Sequence, residues 1–202
     1  MGSAELADSG SVEKTIAALK QNGFDAFLVE NAAEAKQKII ELIPQGAEVM
    51  TMTSATLDAE GIAKEINESG KFESVRKKLN SMDRKTQGPE MQKLGAAPDW
   101  VIGSVHAVTE DGKVLVASAT GSQLPAYAYG SQHVVWVVGT QKIVENLDEG
   151  FKRVYEYTLP LEDARARKVY GVGSSVSKIL VVNKESAPGR ITIIFVEEKL
   201  GF

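Results

Sequence analysis

Two patterns in the 202-residue chain specify an α/β fold: a mostly parallel sheet with helices on both faces and a β-hairpin excursion. The first is a regular alternation of helix-period and strand-period segments, joined by short loops, through the first third of the chain. Parallel sheets with crossover helices are encoded in this way. The second is a run rich in β-branched residues, 133–138, of the kind a strand needs when both of its faces are covered. The excursion is read from Glu110-Asp111-Gly112, a reverse-turn signal with apolar segments at 105–108 and 113–116 on either side.

Taken in order, Ser11 can cap a helix whose apolar face is Val12, Ile16 and Leu19, closed by Gly23. Residues 26–29 read as a strand. Asn31 caps a second helix with Ala35, Ile39, Ile40 and Ile43 on one side, stopped by Pro44-Gln45-Gly46. A strand at 48–52 leads through Thr53-Ser54-Ala55-Thr56 to a third helix, 57–67, ending near Gly70. Residues 71–95, rich in charge and amide, read as one or two solvated surface helices, with Pro89 at a first helical position. A strand at 99–103 follows Pro98. Beyond the hairpin, the small-residue loop 118–123 leads to a short helix at 124–127, the 133–138 strand and a helix over 143–155. Two more strands are expected at 178–182 and 191–196. Residues 1–10 are expected to form a flexible N-terminus and 11–202 a single domain.

Composition excludes several classes. With 43% hydrophobic and 25% charged residues the balance is that of a globular protein. The absence of cysteine removes a disulfide scaffold, a Cys-ligated zinc site, a cluster held by this chain and a Cys nucleophile. A net charge of −4 with no basic stripe argues against nucleic acid. No apolar run approaches the ~20 residues that cross a bilayer, and the acidic first residues lack a signal-peptide layout. No membrane association and a cytoplasmic location are therefore expected. Two histidines and no ligand-spaced carboxylates lead to the expectation of no metal and no cofactor.

In open α/β sheets ligands collect at the carboxyl ends of the strands. Two loops there combine small residues with hydroxyls: Thr53, Ser54, Ala55 and Thr56, and then Ser118, Thr120, Gly121 and Ser122. Such loops suit a phosphate or carboxylate, although Ser54 or Thr56 would equally serve as a helix cap. Lys142 comes at the same end of the next buried strand. It can neutralise an anion, and a cation at that helix terminus opposes the dipole. His106, Glu110 and Asp111 lie close in sequence and could form an acid–base set for proton transfer on a sugar or hydroxy acid, while the two carboxylates also suit the turn. His133, opening an apolar strand, reads as structural. Gly171-Val172-Gly173-Ser174-Ser175 lacks a Walker lysine and reads as a flexible loop. Neither a nucleophile elbow nor a dinucleotide fingerprint is present.

The stretch Gly103-Ser104-Val105-His106-Ala107-Val108-Thr109-Glu110-Asp111-Gly112-Lys113, continuing through Gly121-Ser122 and Tyr129-Gly130 to Val137-Val138-Gly139-Thr140-Gln141-Lys142-Ile143-Val144, resembles the LUD domain. This is the family of the lactate-utilisation C subunit. The likeness extends to Ser54-Ala55-Thr56-Leu57, to Arg190-Ile191-Thr192-Ile193 and to the closing Leu200-Gly201-Phe202, nearly the whole chain from about residue 10.

The resemblance implies a Rossmann-like fold similar to the superfamily of ribose-5-phosphate isomerase, glucosamine-6-phosphate deaminase and CoA transferases. By position, residues 53–56 look like the first phosphate-binding loop of that superfamily and residues 118–122 like its second small-residue loop. The chain departs from its relatives at His106, where Asn is common, and at Ser122-Gln123, where an Asn-Arg pair is common. The CoA-transferase glutamate motif is not recognisable. The implied function is a component that binds a small anionic metabolite in the use of lactate or another hydroxy acid. With no thiolate here, electrons would be carried by a partner in a redox complex. The alternative is a stand-alone isomerase-like enzyme on a sugar phosphate or other anionic metabolite. There the two loops hold the anion, Lys142 neutralises it, and His106 or Glu110 moves a proton.

Overall fold

The computed structural model describes residues 4–58 and 61–202. Helix α1 (Ser9–Gln21) precedes strand β1 (Asp25–Val29), helix α2 (Ala32–Leu42) and strand β2 (Glu48–Thr51). Short helices α3 (Ala55–Asp58) and α4 (Ile62–Glu68) lead to β3 (Glu73–Ser74), α5 (Val75–Ser81), α6 (Arg84–Ala96) and β4 (Trp100–Gly103). The hairpin strands are β5 (Ala107–Thr109) and β6 (Val114–Ser118). A π-turn, Ala126–Gly130, then precedes β7 (His133–Gly139). A 3-10 turn, Thr140–Lys142, runs into β8 (Ile143–Val144). After it α7 (Leu147–Lys152), a π-turn (Arg153–Thr158) and α8 (Leu159–Tyr170) form one continuous helical stretch. Strands β9 (Lys178–Val182) and β10 (Ile191–Val196) complete the described order.

Six strands pair in the order β1-β10-β7-β4-β2-β3, and every pairing is parallel. The chain crosses from β1 at one edge to β2, steps out to β3, and returns through β4, β7 and β10. The period of two along the central strands divides the interior in half. Val101, Val134, Trp136, Ile193 and Phe195 face α1, α5 and the second sheet, whereas Ile102, Val135, Val137, Ile194 and Val196 face α2, α3 and α4. Burying each such side chain stabilises the fold by roughly 1.5–3 kcal/mol. This accounts for the run of apolar, mostly β-branched residues from Val134 to Val138 in β7.

The hairpin belongs to a second sheet of four strands, β8-β5-β6-β9. Gly112, at φ 80°, provides the left-handed turn residue between β5 and β6. The 178–182 strand pairs antiparallel with β6 along its whole length.

Local readings shift in four places. Helix α1 starts two residues before Ser11, because Asp8 is its cap and accepts the Ser11 N–H at 3.0 Å. The single helix expected over 57–67 is two, with left-handed Gly61 capping the second; positions 59 and 60 of that expectation lie outside the described residues. The helix expected from 143 begins only after Asn146, whose side chain caps it, since Ile143 and Val144 pair with Val108 and Thr109. The short helix at 124–127 is drawn toward the π-turn Ala126–Gly130.

Candidate functional site

Because all six strands of the large sheet run the same way, the segments that follow β2, β4, β7 and β10 emerge along one edge. The four strands are consecutive neighbours, so residues 52–56, 104–106, 140–142 and 197–201 meet there. At the centre is Lys142, only 3% exposed. Its Nζ donates to Thr56 Oγ1 at 3.0 Å, Ser104 Oγ at 3.0 Å and the Val105 carbonyl at 3.1 Å. Thr56 in turn donates to the Leu200 carbonyl at 3.3 Å, and Gln141 Nε2 to the same oxygen at 2.9 Å, so the chain end is fastened over the lysine. Gly201, at φ 64°, permits this approach, since a Cβ there would run into Thr56 Oγ1.

No carboxylate is among the three partners of Lys142. Burial, with the nearby Arg153 guanidinium adding to it, pushes the ammonium down to about 7. Arg153 is itself buried, donating to the His106 carbonyl at 2.8 Å and to Thr158 Oγ1 at 3.0 Å; burial brings it down to about 10. Burial, then the charges of Lys142 and Arg153, push the His106 imidazole down to about 3. His106 is thus neutral at pH 7. Its Nδ1 accepts the Ala117 N–H at 3.1 Å, which leaves the ring proton on Nε2. A further cation reaches the same edge, with Arg76 Nε donating to the Thr51 carbonyl at 3.0 Å.

The structure brings Thr56, His106 and Lys142 together. Ser54 is engaged as a helix-start acceptor, taking the Thr56 N–H at 3.2 Å, while Thr53 is exposed and Ala55 opens α3. Ser118 follows Ala117, whose N–H the His106 ring accepts, but turns its own side chain to the 121–123 segment. Its hydroxyl accepts the Gly121 N–H at 2.8 Å and donates to Gln123 Oε1 at 2.9 Å, and Thr120 pairs with Ser122 at 3.1 Å. Glu110 and Asp111 are engaged elsewhere. Glu110 accepts from Lys14 at 2.8 Å and Ser11 at 2.9 Å, tying the hairpin to α1, whereas Asp111 is held by Thr109 and Lys113 within the hairpin. His133 stacks on Trp100 at 4.1 Å. Sequence reasoning passed over Ser104 and Arg153. Ser104 sits just past the end of β4 and could have been found by the rule that picked the other two loops. Arg153 reads as one more surface charge beside Lys152.

The sequence profile of the LUD domain matches residues 12–196. The chain belongs to the LUD domain family. Lactate utilisation is the process with which that family is generally associated. Among solved structures, this LUD domain is similar to the crystal structure of a DUF162 family protein from Deinococcus radiodurans. The TM-score is 0.60 at 14% identity, over 95% of this chain and 99% of that one, a likeness of fold. Comparison with curated proteins gives no significant match. Among the described residues of the LUD domain no helix is long and apolar enough to cross a membrane, and no group of three or more His, Asp or Glu could hold a metal ion.

Proposed function

We propose that this LUD domain binds a small anionic metabolite of the hydroxy-acid class at the carboxyl edge of its sheet, with Lys142 as the cation that receives it. The observation that carries the reading is the buried Lys142, held by two hydroxyls and a carbonyl with no carboxylate among its partners. A buried ammonium without a counter-charge is costly, and an arriving carboxylate relieves that cost. The Thr56 and Ser104 hydroxyls are positioned to exchange their bonds to Lys142 for bonds to the ligand. Membership of the LUD family supports lactate or a close relative as the ligand. The lack of cysteine supports a role in which a partner protein carries any electrons.

The test is calorimetric titration with lactate and glycolate, beside inorganic phosphate and a panel of sugar phosphates, at pH 8 in two buffers of different ionisation enthalpy. Hydroxy acids are expected to bind with uptake of a proton, because the anion restores the Lys142 ammonium, and binding is expected to disappear in Lys142→Met. Heat and proton uptake with sugar phosphates alone would transfer the site to the isomerase-like alternative. No binding by any of them would end the anion reading.

A further inference from the structure

We propose that Ser104 and Lys142 form a nucleophile–base dyad that transfers small acyl groups from activated esters or thioesters to water, with Ser104 Oγ as the atom acylated. The three acceptors around Lys142 Nζ are not equivalent. The Val105 carbonyl at 3.1 Å can only accept. Thr56 Oγ1, at 3.0 Å, commits its own proton to the Leu200 carbonyl, so toward Lys142 it also accepts. The Ser104 hydroxyl, at 3.0 Å, has no other acceptor for its proton among the described residues. An ammonium donates to all three. A free amine donates to the two fixed acceptors, and its lone pair is left for the one hydroxyl that can reverse. A serine proton is taken by a lysine amine in this arrangement.

The placement suits the roles. Ser104 is partly exposed at the rim, whereas Lys142 lies behind it, closed in by Thr56 and the 200–201 segment. The charged or titratable groups facing Lys142 are Arg153, a cation, and His106, neutral at pH 7; burial, with the Arg153 charge adding to it, keeps the amine populated at neutral pH. The Oγ–acyl carbon bond forms as the Oγ proton passes to Nζ. Collapse then breaks the bond from the acyl carbon to the leaving group, which departs with that proton. Water then adds to acyl-Ser104 as its proton passes to the regenerated amine; the bond from the acyl carbon to Oγ breaks, Oγ takes that proton back from Nζ, and the carboxylic acid and the free serine are released. Thiols and phenols are weakly basic leaving groups, so their bond breaks with little demand on that proton transfer, which favours esters and thioesters over amides.

This inference goes beyond anion binding, which uses Lys142 as an ammonium. The test treats the full chain with a fluorophosphonate probe, whose fluoride leaves as the Oγ–phosphorus bond forms, and locates the adduct by peptide mass spectrometry. A single adduct on Ser104 is expected, with a rate that rises with pH and levels off above an inflection near 7. The rate should fall about 100-fold or more in Lys142→Arg and Lys142→Met, the usual scale of a lost general base. No adduct should form in Ser104→Ala. Circular dichroism checks that each variant is folded. Hydroxy-acid titration of the same wild-type protein separates the two readings: binding without an adduct on Ser104 overturns the dyad alone, and an adduct on Ser104 without hydroxy-acid binding overturns the anion reading alone. Wild-type protein without an adduct on Ser104, or labelling undiminished in both Lys142 variants, overturns the dyad. A wild-type rate without an inflection between about pH 6 and 8 overturns it without recourse to any variant.

Discussion

Replacing Lys142 by Met should change the pH dependence of stability, and the sign of the effect should reverse with pH. The ammonium titrates near 10.5 in an unfolded chain and at about 7 in the fold. Below pH 7 both states are protonated and the fold carries the full cost of the buried charge. Between about 7 and 10.5 the unfolded chain holds the extra proton, so stability climbs with pH; above 10.5 the cost is gone. At about 1.4 kcal/mol per pKa unit the swing is on the order of 5 kcal/mol. Met has similar volume and no charge, but leaves the Val105 carbonyl without its donor, at a pH-independent cost of about 1–3 kcal/mol. Lys142→Met should therefore be more stable than wild type by roughly 2–4 kcal/mol at pH 6, and less stable by roughly 1–3 kcal/mol near pH 10.5. Urea midpoints followed by circular dichroism from pH 6 to 10.5 at constant ionic strength measure the difference, in which titrations common to both proteins cancel. Parallel profiles would refute the reasoning, since they would mean that Lys142 titrates alike folded and unfolded.

Glu110→Ala should cost under about 1 kcal/mol in urea unfolding, as a rim ion pair with an exposed lysine does, and leave the response to hydroxy acids unchanged. Bonds from Lys14 and Ser11 lower the Glu110 pKa, so that small contribution should be present above about pH 4.5 and fade as the pH falls. Ile194→Ala, in the middle of the large sheet and fully buried, should cost about 2–5 kcal/mol in the same assay. Gly201→Ala should cost about 1–3 kcal/mol, because it strains a left-handed residue and pushes a methyl against Thr56; an unchanged urea midpoint would contradict that contact. His106→Asn should stay within about 1 kcal/mol of wild type because an amide oxygen can still accept the Ala117 N–H, whereas His106→Leu should cost about 1–3 kcal/mol by stranding that donor. Equal losses in both would refute this account of the histidine.

The large sheet was legible where one local signal determined the element. The β-branched run of β7, the Asn31 cap of α2 and the Asp-Gly turn before β6 each act within a few residues, and each stands where it was read. Ile143 and Val144 were absorbed into a helix because a two-residue strand has no period of its own; pairing with Val108 and Thr109, far away in sequence, decides it. The site divides in the same way. Thr56 and Lys142 were legible as residues at strand ends, but their 3.0 Å contact joins positions 86 apart and exists only through the order in which the strands lie. Glu110 and Asp111 looked like partners of His106 because they are near it in sequence. The hairpin turns them instead toward α1 and toward the turn itself.

Burial of Lys142 together with Arg153 runs against what stability alone would select. Arg153 lowers the Lys142 pKa further, and a fold optimised for stability would place a carboxylate at this point or an apolar residue in place of Lys142. Local inconsistencies of this kind concentrate at functional sites. The surroundings fit a lysine that changes its charge. A carbonyl and a committed hydroxyl fix two of its bonds in either state, and the Ser104 hydroxyl can accept from the ammonium or donate to the amine without leaving a buried polar atom unsatisfied. A lysine meant only to stay charged would gain more from a carboxylate, and one meant only to stay neutral would gain more from a second carbonyl. The reversible hydroxyl serves both protonation states, so under the two proposals above the assay pH is what separates anion binding by the ammonium from proton transfer by the amine.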